Sequence, residues 1–203
     1  MAPYSCRVRW VWAAATALLL AGCSLPGGSS DQEPDAEPTT LTSYDAADAT
    51  VVRGPFCDRL SPTGVEHALG AVPSESTQWE NGDRVRLPDG TRDRVHEYGC
   101  SWTGEDGALA TAYLFVPPVT ARQARALVRG PLPPGCSPMA ANGFGRPNLA
   151  TRCVDEQATT ELSYRGLFED AWVVCSLQTP GDPASLPTRA SAWCVEVLEA
   201  ARA

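Results

Sequence analysis

Residues 94–116 read RVHEYGCSWTGEDGALATAYLFV. Tyr98, Cys100 and Trp102 recur at period two, so residues 94–103 are expected to form a strand with those three side chains on one face. Gly104-Glu105-Asp106-Gly107 is a turn, because glycine accepts the positive φ that reversal requires. Residues 108–116 then return with both faces largely apolar, as a central strand does. Thr120 is placed to cap a helix in TARQARALVRG (120–130), and Gly130 to stop it.

The same order recurs downstream. Residues 158–165 (ATTELSYR) and 171–178 (AWVVCSLQ) read as a strand pair. A helix follows from about Thr188 to Arg202, with Ala190, Trp193, Val197, Leu198 and Ala201 on one stripe. Ser101-Trp102-Thr103-Gly104 and Ser163-Tyr164-Arg165-Gly166 occupy matching places, which raises an old ββα duplication as one reading of the two halves. The expected class is therefore α+β: an antiparallel sheet with helices packed on one face. Upstream, Ser61, Pro62 and Gly70 are the cap, first turn and stop of a short helix with Val65, Ala68 and Leu69 inward. Asn81-Gly82 and Pro88-Asp89-Gly90 are turn signals. Residues 142–148 (NGFGRPN) read as a turn, since no strand–helix context makes them a phosphate loop.

The first 22 residues have a different character. Arg7 and Arg9 precede an apolar run from Trp10 to Ala21, broken only by Thr16. That run suits a signal-peptide core and is too short to span a bilayer. Leu20-Ala21-Gly22-Cys23 looks like the bacterial lipobox, in which the cysteine thiol takes a diacylglyceryl group and the chain is cut before it. One acyl chain anchors marginally, whereas two or three on one cysteine hold stably. The expected organisation is a lipoprotein signal peptide at 1–22, lipidated Cys23 with an acidic, Pro/Ser-rich flexible tether to residue 52, and a single domain over 53–203. The expected location is the outer face of the cell membrane.

Residues 23–203 carry 14 arginines against 24 acids, a net charge of −10, and the chain has no lysine. Such a surface, with no basic cluster apparent along the chain, argues against nucleic acid and anionic lipid as electrostatic partners. Apart from Cys6 and Cys23, six cysteines remain: Cys57, Cys100, Cys136, Cys153, Cys175 and Cys194. An even set in an exported chain reads as a disulfide framework rather than a metal site, since no Cys-x-x-Cys and no Cys–His finger spacing occurs.

The lipobox, the acidic tether, Cys57-Asp58-Arg59-Leu60 leading to Ala68-Leu69-Gly70, and Tyr98-Gly99-Cys100-Ser101-Trp102 together resemble a group of actinobacterial lipoproteins, domain-of-unknown-function family 3558. The resemblance covers roughly residues 20–130. It implies an address rather than an activity, and it places a strand cysteine, Cys100, opposite Cys57. Among the fifteen pairings open to six cysteines, the expectation is Cys57–Cys100, Cys136–Cys153 across the Pro-rich bridge, and Cys175–Cys194 between the last strand and the last helix.

Catalytic signatures are sparse. His67 reads as an ordinary helix residue, and His96 as a partly buried structural one on the Tyr98 face. No G-x-S-x-G, S-x-x-K or H-E-x-x-H occurs. No catalytic, cofactor or metal residue is assigned. Residues 82–97 alternate Asp and Arg, which suggests a self-paired solvated hairpin, with a charged recognition surface as the sharper alternative. Trp79 and Trp172 are candidates to line a groove. The functional expectation is a non-enzymatic, lipid-anchored module binding a protein or small ligand outside the membrane. The alternatives are a carrier of a hydrophobic ligand and an envelope hydrolase. A closed apolar cavity would favour the carrier, and converging perturbed carboxylates the enzyme.

Overall fold

A computed structural model of the protein describes residues 37–46, 49–86 and 90–202. The fold is α+β, built on a seven-stranded antiparallel sheet with three helices. The strands are β1 (Glu75–Trp79), β4 (Glu97–Thr103), β5 (Leu109–Phe115), β6 (Cys136–Met139), β7 (Asn148–Val154), β8 (Thr159–Phe168) and β9 (Ala171–Pro180). Their order is β1-β4-β5-β9-β8-β7-β6. β2 (Arg84–Arg86) and β3 (Arg92–Arg94) form a separate hairpin. No helix among the described residues is long and apolar enough to cross a membrane.

The two expected hairpins, β4–β5 and β8–β9, are joined by β5 pairing with β9. α1 (Pro62–Leu69) and α3 (Leu186–Ala201) lie on the sheet face formed by Ala110, Ala112, Leu114, Val173, Cys175 and Leu177. The alanines of β5 leave room for the largest side chain of α3. Trp193 packs edge-on to Trp102 with centroids 5.6 Å apart, and its indole N–H donates to the Thr111 carbonyl at 3.1 Å. α2 (Ala121–Arg129) departs from the one-face expectation. Its narrow apolar strip, Ala124 and Val128, meets Leu167, Trp172 and Val174 on the reverse face. The two strand pairs lie side by side in the sheet, but α2 and α3 follow them onto opposite faces.

Local capping follows the sequence. Ser61 Oγ accepts from the Gly64 N–H at 2.9 Å, and Gly70 ends α1 at φ 76°. Thr120 and Gln123 form a capping box at α2. The bonded cysteine pairs are Cys57–Cys100, Cys136–Cys153 and Cys175–Cys194. Cys136–Cys153 joins register partners and secures the edge strand β6. The Pro-rich bridge contains more order than its composition suggested: β6 and β7 lie within residues 136–154, and Phe144 of the turn is buried against Phe168 and Tyr164.

The folded body starts well before residue 53. Leu41, Ala46, Ala49 and Val51 are buried in the main core. The Leu41 N–H donates to Ser191 Oγ at 2.8 Å, and Val51 bridges Arg202. Residues 41–46 and 49–51 therefore strap α3, and the expected tether over 23–52 is corrected for the described residues from 37 onward. Sparse apolar residues here, one Leu and a few Ala and Val, bury because α3 offers them a surface, which composition alone does not reveal. The expectations for the signal peptide, for Cys23 and for the tether before Glu37 lie outside the described residues.

The strap carries a titratable lock. Tyr44 donates to Glu199 at 2.5 Å, and burial first, then Glu199, pushes the phenol up to about 12 from 10.0. A raised phenol pKa means that this contact's contribution is complete below pH 10 and is lost as pH rises from 10 towards about 12. Protection from hydrogen exchange at residues 41–46, taken relative to the base-catalysed intrinsic rate, is expected to fall over that interval in the native chain. Tyr44→Phe should show no such step, and an identical step in both would refute the assignment.

Candidate functional site

The reverse face of the sheet gathers the polar and aromatic groups that the core does not use. Strand register places Trp79, Gly99, Tyr113, Val174, Arg165 and Leu149 in one row across six strands. α2 covers part of this row. Beneath its flank is a recess of about 150 Å³ lined by Tyr113, Phe115, Leu127, Val128, Leu149, Arg165, Trp172 and Val174. The walls are apolar, and Tyr113 and Arg165 supply the polar groups. The next row holds six hydroxyl residues, Thr77, Ser101, Thr111, Ser176, Ser163 and Thr151. Arg165 Nε donates to Ser163 Oγ at 3.3 Å, which seats the guanidinium beside the recess. The buried Thr151 Oγ1 has no hydrogen-bond partner among the described residues.

Electrostatics keep Tyr113 neutral. Burial raises its pKa most, followed by the carboxyl of Glu97, while Arg165 opposes and Glu161 adds to the rise. A neutral phenol is a hydrogen-bond donor to whatever enters the recess. Glu97 is raised by burial, against the lowering bond from the Trp79 indole N–H at 3.1 Å. Glu161 is raised by burial, with Arg165 opposing. The two carboxylates are on β4 and β8 with β5 and β9 between them, a lateral backbone separation of about 14 Å at ordinary strand spacing. Glu97 responds to Trp79 and His96, Glu161 to Arg165, and neither to the other. They do not form a shared acid–base pair.

Both tryptophans singled out from the sequence belong to this face. Trp79 is half-buried and lies over Gly99, where any Cβ would collide with its indole. Trp172 is only 3 % exposed, so it is a wall of the recess rather than an open contact surface. Its ring is covered by α2, which the sequence placed on the other side of the sheet. Tyr113 and Arg165 were not singled out. Each reads as an ordinary strand residue until the β5–β9–β8 register sets them in one row.

Gly99→Ala should displace the Trp79 ring and cost about 1–3 kcal/mol by overpacking. Tryptophan emission should shift red together with the loss of stability. An unchanged spectrum and stability would show that the ring does not lie there.

The histidines are apart. His67 lines a shallow hollow between α1 and α3 with Glu66 and Arg189. His96 is exposed, not partly buried as expected, because β4 begins at Glu97 and the period-two face does not extend back to it. Among the described residues no group of three or more His, Cys, Asp or Glu is arranged to hold a metal ion.

No family model, curated protein or solved structure matches this chain.

Proposed function

We propose that the protein is a lipid-anchored, non-enzymatic binding module of the cell envelope, with the α2-flanked recess as its ligand site. The carrying observation is the recess itself: a concave apolar pocket with two converging polar groups, Tyr113 and Arg165, is the usual form of a binding site. Three disulfides fit an oxidising, extracytoplasmic setting. The lipobox at Leu20–Cys23 supports the address.

The carrier reading retains one favourable observation. The space between the sheet and α1/α3 is filled by Trp193, Leu198 and their neighbours, but the recess shares Phe115 and Leu127 with a wider groove of about 470 Å³. An apolar ligand would therefore lie along α2 rather than inside the main core.

Two measurements test the proposal. Metabolic labelling with a palmitate analogue should mark the native chain and not Cys23→Ser, and equal labelling would sink the anchor. Native mass spectrometry of protein taken from envelope extract should show a bound small molecule that is lost in Leu149→Trp, a substitution that fills the recess. Retention of the same adduct by that variant would overturn the site.

A further inference from the structure

Arg165 has more hydrogen-bonding capacity than the fold uses. Its Nε donates to Ser163 Oγ at 3.3 Å, and its two terminal nitrogens make no hydrogen bond among the described residues. The salt bridges among those residues are Arg53–Asp170, Arg152–Asp182 and Arg202–Glu199, so Arg165 belongs to none. The Tyr113 hydroxyl makes no hydrogen bond among them either. Tyr113 on β5 and Arg165 on β8 flank Val174 of β9 on the reverse face. At ordinary strand spacing their backbones are roughly 10 Å apart, so both side chains reach a group seated over Val174. The acids that act on this point from neighbouring strands are Glu97 and Glu161. Neither lines the recess. Glu97 accepts from the Trp79 indole, and burial raises both carboxyls towards their neutral form.

The apolar lining continues outward from these two groups. Tyr113 meets Phe115 edge-on, with ring centroids 6.1 Å apart. Phe115 and Leu127 line both the recess and the groove of about 470 Å³, which is also walled by Pro117, Pro118 and Ala126. Leu127 is 50 % exposed, so the fold leaves this shared border uncovered. No acid lines either hollow. The cation is in the small recess, and the apolar length is in the groove.

We infer that the ligand is a single-chain amphiphile with a carboxylate head, which rests on the proposal that the recess is a ligand site. The carboxylate lies over Val174 and accepts from the terminal N–H groups of Arg165 and from the Tyr113 hydroxyl. The chain passes Phe115 and Leu127 into the groove along α2. A guanidinium presents paired donors that match the two oxygens of a carboxylate, and a neutral phenol donates a third bond. One cation balances a monoanion, whereas a dianionic phosphate head would keep an uncompensated charge in a largely apolar recess. An uncharged head would leave the guanidinium without its counter-ion. The groove alone is within the usual range of small-ligand pockets, about 300–1,000 Å³.

Photo-crosslinking of the purified full-length chain tests this, with dodecanoate, dodecanol and dodecyl phosphate each carrying a diazirine at the chain end. Dodecanoate should label residues 115–127 saturably, at least about ten-fold more than either other probe. Arg165→Gln should cut dodecanoate labelling about ten- to hundred-fold and leave the weaker dodecanol labelling unchanged. Tyr113→Phe should cut dodecanoate labelling about ten-fold. Equal loss of dodecanol labelling in Arg165→Gln marks a folding defect, and the ranking of the three probes on the native chain then decides. Dodecanoate labelling no stronger than dodecanol, or a preference that persists in a folded Arg165→Gln chain, overturns the inference. Stronger labelling by dodecyl phosphate overturns it, as do adducts on residues 149–174 in place of 115–127. No saturable labelling by any probe overturns it as well. In all these cases a native adduct that is lost in Leu149→Trp still supports the recess as a ligand site, and that site falls only if this adduct result fails too.

Discussion

Trp193→Ala is expected to lower the unfolding free energy by about 3–5 kcal/mol. Trp193 is among the largest fully buried side chains and lies over the alanine row of β5. Alanine there leaves a cavity that rigid strands on one side and a helix on the other close only partly. It also removes the edge-on contact with Trp102 and the donor to the Thr111 carbonyl. Domain stabilities are about 5–15 kcal/mol, so the loss is a large share of the total. Urea unfolding with the disulfides intact measures it. Trp193→Phe retains most of the volume and loses the hydrogen bond, and should cost about half as much or less. A change below about 1 kcal/mol for the alanine variant would mean that α3 does not pack as described.

The second large effect lies where composition alone would place none. Leu41→Ala is expected to destabilise the fold by about 2–5 kcal/mol. Leu41 is 2 % exposed in the main core, and its backbone N–H is tied to Ser191. Val52→Ala in the same stretch is the control, because Val52 is exposed and its loss should stay within about 0.5 kcal/mol. A flexible tether over 23–52 predicts no effect from either substitution. Thermal unfolding of the two variants beside the native chain separates the readings. A neutral Leu41→Ala would restore the boundary at residue 53.

Elements whose signals are local were legible in the residues. Ser61, Pro62 and Gly70 define α1, and Thr120 with Gln123 defines the start of α2, because capping is settled within four residues. Period-two alternation in 97–103 and the apolar stripe of the last helix gave β4 and α3 for the same reason. Short edge strands were not legible. β6 is Cys-Ser-Pro-Met, and such a segment becomes a strand only because β7 offers it a partner. The candidate site was half visible: Trp79 and Trp172 stood out as aromatics, whereas Tyr113 and Arg165 acquire meaning only from register.

The amino-acid sequence by itself determined the α+β class, the main hairpins and the inward faces of α1 and α3. It also carried the even cysteine count that reads as a disulfide framework, while the Cys57–Cys100 pairing was implied by the family resemblance. These depend on side-chain period, caps and chain proximity, which act over a few residues. Only the tertiary structure decided that α2 crosses to the reverse face, that residues 41–46 and 49–51 strap α3, and that Arg84 stands opposite Arg94. Each of those depends on which distant surface is available to cover a weakly apolar segment, or on a strand register that moves every side chain to the other face when it slips by one residue. An alternation of Asp and Arg looks self-neutralising along the chain, whereas the register of the closed hairpin sets arginine opposite arginine.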